Sequence, residues 1–260
     1  DVYKRQLLYL SWVLWFQGYP EQARAKMEEG LRLAEVVDHP HTSTLAAFCA
    51  STFHQLVRQW PQCQTQAERA LGLAGQGQFP FWQAGCTMLR GSALAQQGRV
   101  EKGIAVLQEG LAAWEATGTR LALPFFRAHL AEAFLIARNR EEALEALEQS
   151  FSHREEVWWL AEQHRLRAEL LLLAPGTEAE AEAVLRKAVE LACRQKSKSL
   201  ELRATVSLAR LLRQQGRAAE GRDLLAECYA WFTEGFDTPD LQEAKGLLEE
   251  LAPVETVVLS

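Results

Sequence analysis

Small side chains recur along this chain at a nearly fixed interval. Ala23, Cys63, Gly103, Ala143, Ala181 and Gly221 stand 40, 40, 40, 38 and 40 residues apart. Four residues after each comes Met27, Ala67, Leu107, Leu147, Leu185 or Leu225. Seven residues after each comes a second small residue: Gly30, Ala70, Gly110, Ser150, Ala188 or Cys228. Positions i, i+4 and i+7 share one helical face, so each interval holds a helix with close neighbours on two sides. A second set lies twelve residues earlier, at Ser11, Ser51, Gly91, Ala131, Glu169 and Ala209. Three residues on from these stand Leu14, His54, Leu94, Phe134, Leu172 and Leu212. Each interval therefore reads as two antiparallel helices joined by a tight turn, with Gly18, Gly98 and Gly216 ending helical runs. One such unit cannot bury its apolar face alone, so the units must stack.

The pattern predicts an all-α chain without strands, a single solenoid over 1–260. Its helix pairs fall at 3–17 and 20–37, 41–58 and 61–75, 80–97 and 100–117, 120–138 and 141–156, 158–173 and 178–195, and 198–215 and 218–235. The six repeats thus span 3–37, 41–75, 80–117, 120–156, 158–195 and 198–235. A final helix at 238–251, opened by Thr238 or Asp240 with Pro239 in its first turn, is expected to cap the array. Residues 252–260 read as a tail.

Composition sets limits on the partners. Across 260 residues, 48% are apolar and 24% charged, the balance of a folded domain. With Lys+Arg 28 against Asp+Glu 34, the net charge of −6 favours neither nucleic acid nor an anionic membrane. Apolar runs such as Leu170 to Ala174 are far short of a membrane span. Five cysteines without a C-x-x-C pair read as reduced thiols, which points to the cytoplasm. The chain opens on Asp1 and is read as a piece of a longer or processed protein.

The spacings resemble the tetratricopeptide repeat, which has small residues at its eighth, twentieth and twenty-seventh positions and an apolar one at the twenty-fourth. Gly91, Gly103, Leu107 and Gly110 match in the third unit, and Ser11, Ala23, Met27 and Gly30 in the first. The period here is near 40, against about 34 for the standard repeat. The resemblance covers residues 3 to 236 and implies a right-handed superhelix whose first helices line a concave inner surface. Three later segments carry a narrower resemblance: Lys198-Ser-Leu-Glu-Leu-Arg-Ala204, Ser207-Leu-Ala-Arg-Leu211 and Tyr229-Ala-Trp-Phe-Thr-Glu-Gly-Phe-Asp237. Together with His39-Pro40 and Leu89-Arg-Gly91, they look like the C-terminal repeats of large bacterial signalling proteins. Those proteins place a nucleotide cyclase and a STAND or AAA-type ATPase before the repeats. The resemblance implies a sensor or scaffold region that contacts other domains of its parent chain.

No motif for catalysis is present. There is no P-loop and no H-E-x-x-H, and Gly75-Gln-Gly77 reads as a turn. His39 and His41 lack a third metal ligand nearby, and Cys49 with His54 lacks an orienting partner. Trp158-Trp159 reads as one ring packed between units and one at a rim. Neither an enzyme activity, a cofactor nor a metal is expected.

Three charges, Arg90, Glu132 and Glu169, fall on the packed side of first helices. They must be paired or line a polar site. Charge is also segregated: residues 131–185 carry −7, residues 186–222 carry +7 and residues 223–260 carry −8. Within the basic block Arg203, Arg210, Arg213 and Arg217 form one stripe, at offsets of 7, 10 and 14 residues. Arginine forks suit carboxylates, so the stripe is a candidate clamp for an acidic peptide or terminus. Pairing with chain acids such as Glu243 and Glu249 is the competing reading. Trp12, Trp15 and Phe16 of the first helix are expected to form an exposed apolar edge.

The leading function is a non-catalytic interaction module that holds a peptide, a helix or a neighbouring domain in its groove. The alternative is a small-ligand sensor controlling an attached ATPase or cyclase, with Arg90, Glu132, Trp12 and Trp15 lining the pocket.

Overall fold

The computed structural model describes residues 2–37, 39–152 and 156–252. Among the described residues thirteen helices follow one another with no strand. The first six are α1 (Val2–Phe16), α2 (Pro20–Val37), α3 (Pro40–Leu56), α4 (Trp60–Gln76), α5 (Pro80–Gln96) and α6 (Val100–Ala116). The next four are α7 (Leu123–Ile136), α8 (Arg140–Ser150), α9 (Leu160–Leu171) and α10 (Glu178–Arg194). The last three are α11 (Lys198–Gln214), α12 (Ala218–Ala230) and α13 (Pro239–Glu250). Four of the fourth-to-sixth-unit helices are clearly shorter than their periodicity suggests: α7 runs only from Leu123 to Ile136, α8 stops at Ser150, α9 starts at Leu160 and α12 stops at Ala230. Residues 153–155 and the expected tail from 253 onward lie outside the described residues.

The recurring small residues are the crossing points. Ala23, Cys63, Ala143 and Ala181 are fully buried, as are Ser11 and Ser51 on the facing helices. The α5–α6 pair shows why size matters there. A Cβ on Gly103 would stand 2.5 Å from the backbone nitrogen of Ala95, and one on Gly91 would stand 2.7 Å from that of Leu107. The larger members of the set, Met27, Leu107, Leu147, Leu185 and Leu225, fill the space beside each crossing and are 2% exposed or less.

Curvature follows from how the helices touch. The odd helices α1 to α11 each contact the next odd helix, whereas no two of the even helices α2 to α12 contact one another. The odd helices therefore form a tight inner layer and the even ones a splayed outer layer. The helix α13 packs Leu241, Ala244 and Leu247 onto Leu202, Val206 and Leu225 of α11 and α12.

After six units the superhelix returns to its start. The α1 helix contacts α11, and Ser199 Oγ donates to the carbonyl of Trp15. Glu234 accepts the backbone N–H groups of Glu21 and Gln22, both at 3.0 Å, so a distant carboxylate serves the N-terminus of α2. Arg24 meets Asp237 at 3.3 Å. At the seam Gly18 takes a left-handed φ of +88°, and a Cβ there would lie 2.6 Å from Trp231.

This closure corrects the expected apolar edge. Trp15 is only 2% exposed, and Phe16 packs edge-on to Trp158 and Trp159. Trp12 donates its indole N–H to the Cys49 carbonyl at 3.1 Å. The apolar side chains that α1 does expose are Tyr3, Tyr9, Leu10 and Val13. The periodicity gave the face of the helix, but not the return of α11 that covers its far end.

Candidate functional site: a polar cavity on the concave face

The inner layer forms most of an open cavity of about 210 Å³, lined from α3, α5, α7, α9 and α11 with Trp60 of α4 and residues of α13. Its polar character starts with single departures from the repeat pattern. Where other units place Ser, Gly or Ala at the crossing, α9 places Glu169. Helical spacing aligns Glu162, Arg165 and Glu169 on one face of α9. Arg165 donates to Glu162 Oε1 at 2.6 Å and also bonds Glu169. On α7, one turn apart, His129 Nδ1 lies 3.3 Å from Glu132 Oε2. A carboxylate can only accept, so Nδ1 carries the proton.

A second network crosses the seam. Arg203 donates to Asp240 Oδ2 through Nε (3.0 Å) and Nη2 (2.8 Å), and to the carbonyl of Leu56 at 2.6 Å. Its guanidinium sits 4.9 Å from the Trp15 ring centre, a cation–π contact. Arg58 reaches Asp240 at 3.1 Å and Glu243 at 2.5 Å, and Arg210 reaches Glu243 at 2.7 Å. Arg58 occupies the turn position where Gly18, Gly98 and Gly216 stand in other units, with φ of +58°. A non-glycine residue there costs roughly 1–2 kcal/mol. What the cost obtains is a guanidinium across the seam.

The electrostatics of the two networks differ. Around Arg165 stand three carboxylates: Glu132, Glu162 and Glu169. Burial, with Glu162 and Glu132 close by, pushes the Glu169 carboxyl above its ordinary range, and Arg165 only partly offsets this. Burial also acts to raise Glu132, but the His129 hydrogen bond and the charges of His129, Arg165 and Arg203 outweigh it and bring it down to about 2. At the seam, burial of Asp240 is outweighed by Arg203 and Arg58, which hold it below its usual value. At 4 Å and an effective dielectric near 20, one charge pair is worth about 4 kcal/mol. The surplus of carboxylate on the α7–α9 wall is therefore a strong local field.

The wall also holds unmet hydrogen-bonding groups. Gln55 Nε2 and Oε1, His129 Nε2, Trp159 Nε1 and Glu162 Oε2 are buried without a partner. All four residues line this cavity.

The residues singled out from sequence distribute as follows. Glu132, Arg203 and Arg210 are on the cavity wall, as is Glu169. Arg213 pairs with Glu250 beside the rim. Arg217 turns to the outer layer, bonding Glu182 at 2.8 Å and Glu220 at 2.7 Å. Arg90 leaves its Nε buried and unpartnered on α5, away from the cavity. Neither Trp12 nor Trp15 lines the cavity; Trp15 backs the lining residue Arg203, and Trp12 packs on Phe48 of α3. Trp159 is 2% exposed and Trp158 38%. Cys49 is fully buried, with burial pushing its thiol far up, and His54 Nδ1 is taken by Gln59 at 2.9 Å. Sequence reasoning missed Glu162, Arg165, Gln55, His129 and Asp240. The i, i+3, i+7 run of charges on α9 was the available signal.

No known family model matches the chain. An uncharacterized protein of Rhizobium meliloti (strain 1021) is 27% identical over 214 residues, which is 78% of this chain and 20% of that protein. The chain thus spans about a fifth of the length of the curated relative it matches. Among solved structures, the Rap conjugation gene regulator of the plasmid pLS20, in complex with the Phr* peptide, superposes with a TM-score of 0.67 at 12% identity. That match covers 95% of this chain and 74% of the regulator. A Rap protein complexed with competence and sporulation factor gives 0.65 at 12% identity, over 96% and 74%. The STAND protein with a tetratricopeptide repeat sensor from Pyrococcus horikoshii gives 0.52 at 15% identity, over 95% of this chain and 38% of that one. At these identities the likeness is one of fold: the chain is an all-α, right-handed, tetratricopeptide-like solenoid. No helix among the described residues is long and apolar enough to cross a membrane.

Proposed function

We propose that this chain is a non-catalytic regulatory module of a larger cytoplasmic bacterial signalling protein, and that it binds a peptide or protein segment in its concave cavity. One observation carries the reading: the inner helices bring buried, incompletely satisfied polar groups to a single cavity at the centre of the superhelix. Folding alone gains nothing from leaving such groups unpaired. The Rap regulator in complex with the Phr* peptide supports the choice of ligand class. At the rim, Arg210 and Arg213 remain almost half exposed. An acidic group of the partner would compete there with Glu243 and Glu250.

Peptide-display selection on the purified chain tests this. Ser207 lines the cavity without carrying a charge and donates one hydrogen bond to Glu169 at 3.3 Å, so Ser207→Trp fills the space and keeps every ion pair, at the loss of that one hydrogen bond. Selected peptides should lose binding to Ser207→Trp and keep it with Arg217→Glu, an outer-layer control. Peptides that bind both variants as well as the parent would overturn the assignment. The sensor alternative gains support if no peptide is selected while a metabolite raises the melting temperature.

A further inference from the structure

We infer that the deep end of the cavity is a subsite for one basic residue of a bound peptide, taking its side-chain cation against the α7–α9 carboxylates and its carbonyl oxygen against the N–H groups of Trp159 and Gln55. The inference rests on the concave cavity being the binding site and specifies what the cavity selects.

The charge arrangement gives the first half. Glu132 is answered by His129, Arg165 and Arg203, whereas Glu162 and Glu169 of α9 share the single guanidinium of Arg165, and Arg203 of the neighbouring network is committed to Asp240 and Leu56. Glu162 Oε2 is unbonded although the residue is 5% exposed. The raised Glu169 carboxyl reports the same surplus from the proton's side. A guanidinium or ammonium group supplies donors to these acceptors and returns the wall to balance.

The orphaned donors give the second half. Trp159 Nε1 is a donor only, and it is buried without an acceptor. Gln55 adds an unmet amide donor from the opposite side of the superhelix, in a residue 2% exposed. A bare amine would leave both unmet, because a cation has no acceptor to offer. A basic amino-acid residue carries both functions, a cation and a peptide carbonyl. A cavity of about 210 Å³ lies below the roughly 300–1,000 Å³ of small-molecule pockets, which fits one residue rather than a larger ligand.

The arginine stripe identified from sequence points the other way, toward an acidic ligand. Its members Arg203, Arg210 and Arg213 are each bonded to an acid of α13. That leaves the α9 carboxylates with the larger unanswered charge.

Titration calorimetry on the full chain with blocked tripeptides tests the subsite. The probes are acetyl-Ala-Arg-Ala-amide, the same peptide with citrulline for arginine, the same with glutamate, and agmatine. The arginine peptide should bind, and citrulline, which keeps the shape and loses the charge, should bind about tenfold more weakly or worse. Agmatine, which lacks the carbonyl, should also be weaker, and the glutamate peptide should not bind. Glu169→Gln should cut arginine-peptide affinity about tenfold without lowering the melting temperature. Trp159→Phe, which keeps an aromatic six-membered ring and removes the N–H with the rest of the indole, should weaken the arginine peptide and leave agmatine unaffected. Equal binding of the arginine and citrulline peptides, tighter binding of the glutamate peptide, or no heat from any probe would overturn the subsite. If selected peptides still lose binding to Ser207→Trp in that event, the cavity remains the binding site and only its preference has been misassigned.

Discussion

The two layers of this superhelix obey different rules. An outer helix such as α10 is amphipathic: Ala181, Leu185, Ala188 and Ala192 are buried, and its other faces carry Glu178, Glu180, Arg186 and Arg194. An inner helix such as α3 is buried nearly all round, from Thr44 to Leu56 with only His54 partly open. Outer helices have one task, to lie across their partners, and one stripe of small and apolar residues suffices for it. Inner helices meet neighbours on every side and also line the cavity, so polar groups enter them at the cost of regularity. The departures from the pattern, Glu169, Glu132 and Arg58, gather at the cavity. Breaks in local consistency of this kind are where functional sites are expected.

The comparison can be broken first at its most regular point. Gly103→Val places a branched side chain where the α5–α6 backbones nearly touch. We expect a loss of more than about 3 kcal/mol, or failure to fold, since close-packed interiors do not yield to added bulk. A thermal melt within a few degrees of the parent would mean that the small residues do not set the crossing.

The seam comes next. Asp240→Ala leaves Arg203, a side chain only 12% exposed, without its carboxylate. Removing one partner of a buried pair costs about 3 kcal/mol, read by denaturant unfolding. The double variant Asp240→Leu with Arg203→Met should recover part of the loss. Equal losses for the single and double variants would show that the pair is not coupled.

The smallest and sharpest effect is in pH. Glu132 is held down to about 2, so its contribution is present above the ordinary carboxylate value of 4.5 and fades as pH falls toward 2. Glu132→Gln should be on the order of 2–3 kcal/mol less stable than the parent at neutral pH, and the gap should close in acid. Glu169 is shifted the other way. Its ionisation opposes folding as pH rises past 4.5, so Glu169→Gln should gain on the parent from acid to neutral pH. Parallel profiles for both variants would remove the electrostatic distinction between the two carboxylates.

The outer layer and the stacking order were legible in the sequence because contacts between adjacent units repeat every 40 residues. The seam was not. Glu234 with Glu21, Arg58 with Asp240 and Ser199 with Trp15 are contacts about 180 to 210 positions apart, and no period encodes them. Their position depends on the accumulated rotation of six units, which made Trp15 and Phe16 read as an exposed edge. The cavity lay between these extremes. Glu132 and Glu169 stood out as charges in packed positions, whereas Gln55 and Trp159 became visible only once their missing partners could be counted.

The central claim is that binding takes place on the inner layer. Photo-crosslinking settles this most directly: a selected peptide carrying a diazirine beside its basic residue is irradiated on the full chain, and the adducts are located by mass spectrometry. The account predicts adducts on α7, α9 and α11, near Glu132, Trp159 and Val206. Adducts confined to the outer helices, or to the exposed Tyr3–Val13 face of α1, would contradict it.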